Sequence, residues 1–137
     1  MSFVLDNSVA LAWCFEDEQT PAIMALLDRV VATGAMAPLL WPLEALNGLL
    51  VAERRRRLEP AKRAELAGLL HALPIKLDDE TADKSWEATL RLAERFTLSV
   101  YDATYLELAQ RRRLPLASKD RALRNAAAAL GVEVLLD

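Results

Sequence analysis

Segments in which apolar residues recur at helical spacing alternate along the chain with short apolar runs. After Pro21, apolar residues recur three and four positions apart up to Gly34, which predicts an amphipathic helix. The first apolar run covers residues 3–5 and ends at Asp6. Proline at the start of a periodic segment and glycine at its end mark the helix boundaries, because these residues favour those positions.

The whole pattern predicts strands and helices in alternation. Strands that alternate with helices are typical of parallel sheets, whose strands are joined by crossover helices. We therefore predict an α/β fold with a central parallel β-sheet of four to five short strands, flanked by helices on both faces. Helices are predicted to begin near Ser8, Pro21, Pro42, Pro60, Ala82, Asp102 and Leu123, and strands to cover residues 3–6, 35–38, 74–77, 114–117 and 131–135.

Length and composition limit the class of protein. The chain of 137 residues is long enough for one hydrophobic core, which predicts a single domain over residues 1–137. Its single cysteine, Cys14, excludes an internal disulfide, and no apolar run approaches the roughly 20 residues that span a bilayer. The first residues also lack the charged leader and apolar core of a signal peptide. We therefore expect a cytoplasmic protein.

The available side chains favour carboxylate chemistry. The single histidine, His71, has no serine or acidic motif beside it, which disfavours a histidine-based zinc site and a Ser-His-Asp triad. Aspartate and glutamate together number 20 against 17 lysines and arginines, and the net charge is −3. The positions of the acidic residues therefore decide whether this small excess of negative charge belongs to a functional site.

Four acidic residues lie where an α/β sheet places its ligands. Asp6 follows the first predicted strand, and Asp120 follows the strand that ends at Ala117. Glu44 and Asp102 lie in the first turns of predicted helices, where the helix dipole favours negative charge. Each position alone is also typical of a helix cap or a dipole acid. The hypothesis of a site therefore requires that the four acids converge in one cleft.

The local sequences around the four acids carry a family resemblance. They read VLDNSVALAW at 4–13, EALN at 44–47, YDATYLELA at 101–109 and SKD at 118–120. In order and spacing they resemble PIN-domain ribonucleases over essentially the whole chain, and most of all the VapC-type toxins of toxin–antitoxin pairs. The resemblance implies a catalytic and metal-binding quartet of Asp6, Glu44, Asp102 and Asp120, with Ser8, Asn47 and Ser118 as supporting polar residues.

Two positions depart from the family pattern. Asn7 stands where a small residue is more usual, and Lys119 places a cation beside Asp120. These departures leave the four acids intact but bear on metal binding at the Asp120 side.

Converging carboxylates repel one another, so they must take up protons, a cationic partner or a metal ion. No lysine or arginine belongs to the segments around Asp6, Glu44 or Asp102. Oxygen ligands suit hard cations, so the implied cofactor is Mg²⁺ or Mn²⁺. A pair of such ions supports phosphodiester hydrolysis without a protein nucleophile. Whether the site takes one ion or two stays open.

The resemblance also implies a function and partners. It implies a metal-dependent endoribonuclease that acts on RNA as the toxin of a type II toxin–antitoxin pair. It further implies a homodimer and a cognate antitoxin that places a segment in or over the acidic groove. A PIN-like module that binds RNA or protein without cleaving it, and a nuclease of this fold that is not a toxin, remain alternatives. A phosphoacceptor receiver domain is excluded, because Asp6 has no adjacent acid.

Basic residues cluster after two of the helices that carry the acids. Residues 54–57 and 111–113 are all arginine. Arg54, Arg55 and Arg112 are candidate contacts to RNA phosphates beside the site. The alternative is that these arginines complement helix dipoles and face solvent.

Overall fold

A parallel β-sheet forms the centre of the protein in the computed structural model, which describes residues 2–136. Its strands are β1 (Val4–Leu5), β2 (Ala35–Pro38), β3 (Ile75–Asp78) and β4 (Leu116–Ala117). All pairings are parallel, and the strand order is β3-β2-β1-β4. The predicted parallel α/β sheet of four to five short strands is therefore confirmed.

The last predicted strand, at 131–135, is reduced to a single bridge between Leu116 and Val134. The Leu116 N–H donates to the Glu133 carbonyl at 2.8 Å, and the Leu116 carbonyl accepts from the Leu135 N–H at 3.0 Å. The prediction of a full strand was wrong because β4 has two residues, which offer too little backbone for a longer ladder.

Helices surround the sheet, and all residues of β1, β2 and β4 are buried. Within residues 2–136, no helix has the length and apolar character needed to cross a membrane. A 3₁₀ segment covers Glu16–Glu18, and a π-helical segment, Ser85–Thr89, joins the fifth and sixth helices. The helices are α1 (Asn7–Ala12), α2 (Pro21–Thr33), α3 (Trp41–Arg54), α4 (Pro60–Ala72), α5 (Thr81–Lys84), α6 (Leu90–Phe96), α7 (Val100–Arg112) and α8 (Arg121–Ala129).

The π-helical segment changes which side chains face the core. Helical spacing places Trp86 and Leu90 on one inward stripe, yet Trp86 is 83% exposed and Leu90 is exposed as well. The wider π turn adds a residue to the helical repeat, so the buried stripe continues instead through Thr89 and Leu92.

The strand order determines where a ligand site belongs. β1 lies in the sheet between β2 and β4, so the chain pairs first on one side of β1 and later on the other. In open α/β sheets this switch point leaves a crevice at the carboxyl ends of the two strands. Asp6 directly follows β1 and Ser118 directly follows β4. Both residues therefore lie at the crevice.

Two helices are held close to this crevice by small or buried residues. Gly48 of α3 lies against Leu11 of α1, where a Cβ atom would approach the Leu11 Cδ1 atom to 2.5 Å. Helix α7 contacts β1, β2 and β4, and its residues 103–109 are all buried. Its first turn is capped by Ser99, whose hydroxyl accepts from the Asp102 N–H at 3.0 Å.

A charged network joins α7 to the edge strand β3. Arg111 donates to Asp78 Oδ2 at 2.5 Å, to Glu107 Oε2 at 2.9 Å and to Glu80 Oε2 at 3.1 Å. The Asp78 side chain is 1% exposed. Burial opposes its ionisation, but the hydrogen bonds from Arg111 hold the pKa of Asp78 below its ordinary value. Three acids therefore share one guanidinium, and two of them, Asp78 and Glu107, are buried.

We expect Arg111→Met to destabilise the fold by about 3 kcal/mol, because Asp78 and Glu107 would stay buried without their cation. Urea unfolding followed by circular dichroism measures the change. Arg112→Met is the matched control, since Arg112 is the adjacent arginine and forms no ion pair within residues 2–136. Equal stability of the two variants would show that the network contributes nothing.

The stability lost in Arg111→Met should depend on pH in a direction that follows from the pKa of Asp78. The pKa of Asp78 is lowered, so its stabilisation is present above the ordinary value of 3.8 and disappears as the pH falls through the lowered pKa. Without Arg111, burial raises that pKa, and the variant regains stability as the pH falls through the raised value. We expect the stability difference from wild type to shrink between about pH 7 and about pH 4.

Candidate functional site

Asp6 lies at the switch point, held by two serine hydroxyls. It is buried, and its Oδ2 accepts hydrogen bonds from Ser8 Oγ at 2.5 Å and from Ser118 Oγ at 2.9 Å. Its backbone N–H donates to the Ala117 carbonyl at 3.0 Å, which ties the end of β1 to the end of β4. The other carboxylate oxygen, Oδ1, accepts no side-chain hydrogen bond from residues 2–136.

The same hydroxyls connect Asp6 to the loop that carries Asp120. Ser8 Oγ accepts from the Lys119 N–H at 2.9 Å, and Ser118 Oγ accepts from the Asp120 N–H at 3.0 Å. Each hydroxyl thus accepts a hydrogen bond from a backbone N–H and donates its own proton to Asp6. Ser8 and Ser118 therefore have the geometry expected of supporting residues.

Asp120 itself caps the next helix. Its Oδ1 accepts from the Leu123 N–H at 2.9 Å at the start of α8. The sequence allowed this capping role as an alternative to a place in the site. The structure shows that one carboxylate oxygen caps the helix while the residue also lines the cleft beside Ser8.

Glu44 is oriented by a tyrosine that is not among the predicted site residues. Glu44 is half-buried in the first turn of α3, and its Oε1 accepts from the Tyr105 hydroxyl at 2.6 Å. The Tyr105 side chain is buried in α7. A buried tyrosine hydroxyl needs a polar partner. A tyrosine at a buried helical position is therefore a signal in the sequence for a polar contact such as this one. Asn47, expected to support this acid, is exposed and makes no side-chain hydrogen bond within residues 2–136.

The four acids interact electrostatically. Burial raises the pKa of Asp6, Glu44 and Asp102 above their ordinary values. Repulsion raises these pKa values further, because the charge of Asp6 acts on Glu44 and Asp102. The charge of Asp120 likewise acts on Asp6 and Asp102. The fold thus brings the predicted acids from four separated segments into one interacting cluster, which we call the four-acid cluster.

The donor set of this cluster fits a hard divalent cation. Within the part of the chain that the structure describes, none of its members is ion-paired to a lysine or arginine. Lys119, next to Asp120, pairs with Glu18 at 3.0 Å. The donors are carboxylate oxygens, which Mg²⁺ and Mn²⁺ prefer. Asp6, Glu44, Asp102 and Asp120 would therefore hold the ion.

A second acidic group lies at the end of β3. Carboxylate oxygens of Asp78, Asp79 and Glu80 lie within 4.8 Å of one another, closer than those of the four-acid cluster among residues 2–136. Arg111 already binds Asp78 and Glu80. Two of these three carboxylates are thus already paired with a protein cation, whereas no member of the four-acid cluster has one among residues 2–136. We therefore assign the candidate metal site to the four-acid cluster.

A groove of about 400 Å³ adjoins the four-acid cluster between α1 and α3. Among the predicted RNA contacts, Arg55 lines this groove together with Ser8 and Asp120. Arg54 is exposed but does not line it. Arg112 instead lines a cavity with Ala35 at the amino-terminal end of β2, so its position does not support contact with the site.

Comparison with known proteins adds a family match. The family model described as the PIN domain matches residues 3–129. No curated protein sequence matches the chain.

Solved structures resemble the whole fold. PAE2754 from Pyrobaculum aerophilum is 22% identical with a TM-score of 0.70, over 98% of this chain and 84% of that one. FitAcB from Neisseria gonorrhoeae is 17% identical with a TM-score of 0.67, over 98% and 96%. A toxin–antitoxin complex from Klebsiella pneumoniae is 17% identical with a TM-score of 0.59, over 98% of both chains. At these identities the similarity concerns the fold.

We expect Glu44→Gln to raise the thermal midpoint in chelating buffer at neutral pH by about 2 °C. Glutamine keeps an acceptor for Tyr105 and removes one of the repelling charges. Because the pKa of Glu44 is raised, its ionised form destabilises the fold, and the gain should vanish as the pH falls through that pKa. Scanning calorimetry measures the midpoint, with Glu94→Gln, at an exposed position of α6, as the control. A lower midpoint for Glu44→Gln would contradict repulsion at the cluster.

Proposed function

Because the chain belongs to the PIN-domain family, we propose that it is an endoribonuclease that hydrolyses RNA phosphodiester bonds with Mg²⁺ or Mn²⁺. In this proposal residues 1–137 form one domain, with Asp6, Glu44, Asp102 and Asp120 as its metal-binding and catalytic residues. The observation that carries the proposal is the four-acid cluster at the switch point, in which the pKa values of Asp6, Glu44 and Asp102 are raised and no member has a cationic partner among residues 2–136. Such a cluster is costly to the fold unless a cation binds it.

A bound divalent cation supplies Lewis acidity toward the phosphodiester and lowers the pKa of water. The protein's own contribution is orientation. Ser8 and Ser118 hold Asp6 by its Oδ2, and Tyr105 fixes the direction of Glu44. All three orienting groups are neutral, so they position the acids without cancelling the charge that attracts the ion.

We further infer that the protein is the toxin of a type II toxin–antitoxin pair, of the VapC type, that acts in the cytoplasm. A cognate antitoxin protein neutralises it by covering the acidic groove. Similarity to the toxin–antitoxin complex from Klebsiella pneumoniae supports this assignment. FitAB, another similar fold, is described as bound to a DNA fragment.

The exposed apolar residues support a homodimer. Leu43 is 72% exposed, Trp86 83% and Tyr101 65%. Two hydrogen bonds link the parts of the chain next to these residues: the Leu39 N–H, just before α3, donates to Thr81 Oγ1 of α5 at 3.0 Å, and Tyr105 of α7 donates to Glu44 of α3. Exposed apolar residues on neighbouring elements are typical of a protein interface. We propose that a second copy covers them, alone or within a toxin–antitoxin hetero-oligomer.

We expect the purified protein to cleave single-stranded RNA in Mg²⁺ or Mn²⁺ and to stop in excess chelator. Asp6→Asn should lower turnover by about a hundredfold or more, because it removes a proposed ligand charge while keeping the shape of the side chain. Gel analysis of labelled RNA measures the rate.

Asp79→Asn is the matched control for this experiment, because it removes an equal charge from the acidic group at β3. It should leave turnover unchanged. Cleavage in excess chelator, or loss of activity in Asp79→Asn but not in Asp6→Asn, would overturn the assignment of the site. RNA binding without cleavage by the wild type would indicate a binding module instead.

We expect Trp86→Glu to dissociate the homodimer, because a charge in the centre of an apolar interface loses its hydration. Light scattering after gel filtration measures the mass. Leu69→Glu on α4 is the control, since Leu69 is also exposed but lies on a different helix. A dimer that persists in Trp86→Glu and dissociates in Leu69→Glu would place the interface on α4.

A further inference from the structure

The groove beside the four-acid cluster has an apolar floor and a charged rim. Leu11, Phe15 and Ala52 contribute apolar surface, and Ser8 and Asp120 mark its border with the cluster. The charged residues along it are Glu18, Arg55, Arg57, Lys119 and Asp120. The groove is therefore continuous with the proposed catalytic site but differs from it in carrying cations.

One carboxylate spans two of these cations. Glu18 Oε1 accepts from Lys119 Nζ at 3.0 Å, and Glu18 Oε2 accepts from Arg57 Nη2 at 3.3 Å. The two cations come from distant parts of the chain, the end of β4 and the loop after α3. Their shared partner shows that both can bind the two oxygens of a single anionic group at this point of the groove.

Arg57 is held in place by more than this carboxylate. Its guanidinium lies over the Phe15 ring at 4.0 Å from the ring centre and also pairs with Asp17 at 3.3 Å. Its backbone N–H donates to the Ala52 carbonyl at 2.8 Å. Its side chain nevertheless stays 44% exposed. The contacts with Phe15, Asp17 and the Ala52 carbonyl therefore position Arg57 independently of Glu18.

We propose that Arg57 and Lys119 form a subsite for an RNA phosphate next to the one that is cleaved, and that Glu18 occupies this subsite in the free protein. A phosphodiester offers two anionic oxygens, as the Glu18 carboxylate does, and arginine and lysine bind both groups. The adjoining apolar floor suits a nucleobase, which stacks on apolar and guanidinium surfaces. The inference rests on the proposed function, because it identifies the flanking part of the same substrate.

In the free protein, Glu18 pairs with the two cations of the subsite, Arg57 and Lys119. This pairing explains how cations can lie beside the four-acid cluster without neutralising it. Glu18 lies on the short surface segment Glu16–Glu18 with its side chain 29% exposed, and ion pairs that water reaches are weak. A phosphate can therefore displace the carboxylate at small cost. Removing the charge of Glu18 should strengthen RNA binding, which is the opposite of what loss of an ordinary substrate contact would do.

The test compares Glu18→Gln with Glu16→Gln. Both substitutions remove one negative charge from the same segment, but Glu16 makes no ion pair within residues 2–136. Both are made in the Asp102→Asn background in Mg²⁺, so that binding is measured without cleavage. The probe is a short fluorescein-labelled single-stranded RNA of mixed sequence, and fluorescence anisotropy gives the affinity. We expect Glu18→Gln to bind about fivefold more tightly than Glu16→Gln.

Lys119→Ala provides the second arm. Combined with Glu18→Gln, it should reverse most of the gain and reduce the salt slope by about 0.7, the value for one phosphate contact of a single strand. Equal affinities of the two glutamine variants, or weaker binding by Glu18→Gln, would overturn the subsite. A gain for a polyglutamate peptide as large as that for RNA would also overturn it and indicate an acidic protein segment as the ligand.

These outcomes separate the subsite from the nuclease activity. Equal affinities of the two variants in a protein that cleaves RNA would reject the subsite alone. A difference between them in a protein that fails to cleave RNA would keep the subsite and reject the nuclease.

Discussion

Repulsion among buried carboxylates is the constraint on which this structure depends. The chain contains two groups of acids at the carboxyl ends of its strands and resolves their repulsion in opposite ways. At β3, Arg111 supplies a cation and lowers the pKa of Asp78. In the four-acid cluster no protein cation pairs with the acids among residues 2–136, and the pKa values of Asp6, Glu44 and Asp102 rise. The first arrangement stabilises the fold by itself, whereas the second leaves a charge that an external cation can neutralise.

The groups that hydrogen-bond to the four-acid cluster are uncharged, unlike the arginine at β3. Ser8, Ser118 and Tyr105 donate hydrogen bonds but carry no charge. A charged donor would instead neutralise the carboxylate that it holds. Hydroxyl donors therefore fix the direction of each acid and preserve its attraction for a divalent ion. The same reasoning explains why the nearby Lys119 is compatible with the site, since Glu18 binds its ammonium group.

The sequence predicted the features that depend on local pattern. Helical spacing and short apolar runs indicate the elements, and the position of Asp6 after β1 follows from them. Contacts between distant residues were not accessible in this way. The hydrogen bond from Tyr105 to Glu44 joins residues 61 positions apart, and nothing in either local pattern specifies it. The exposure of Trp86 depends on a π turn that interrupts an otherwise regular repeat.

Helix α7 links the stability of the fold to the geometry of the site. Its amino-terminal turn carries Asp102, one turn later Tyr105 binds Glu44, and its last turn carries Arg111. Residues 103–109 are buried without interruption, so close packing holds the helix against the sheet along this length. At this first turn, burial and the charge of Asp6 raise the pKa of Asp102. At its last turn the ion pairs of Arg111 to Asp78 and Glu80 attach the helix to the end of β3, so the same helix that carries Asp102 and Tyr105 into the site is fixed to the sheet edge by the second group of acids.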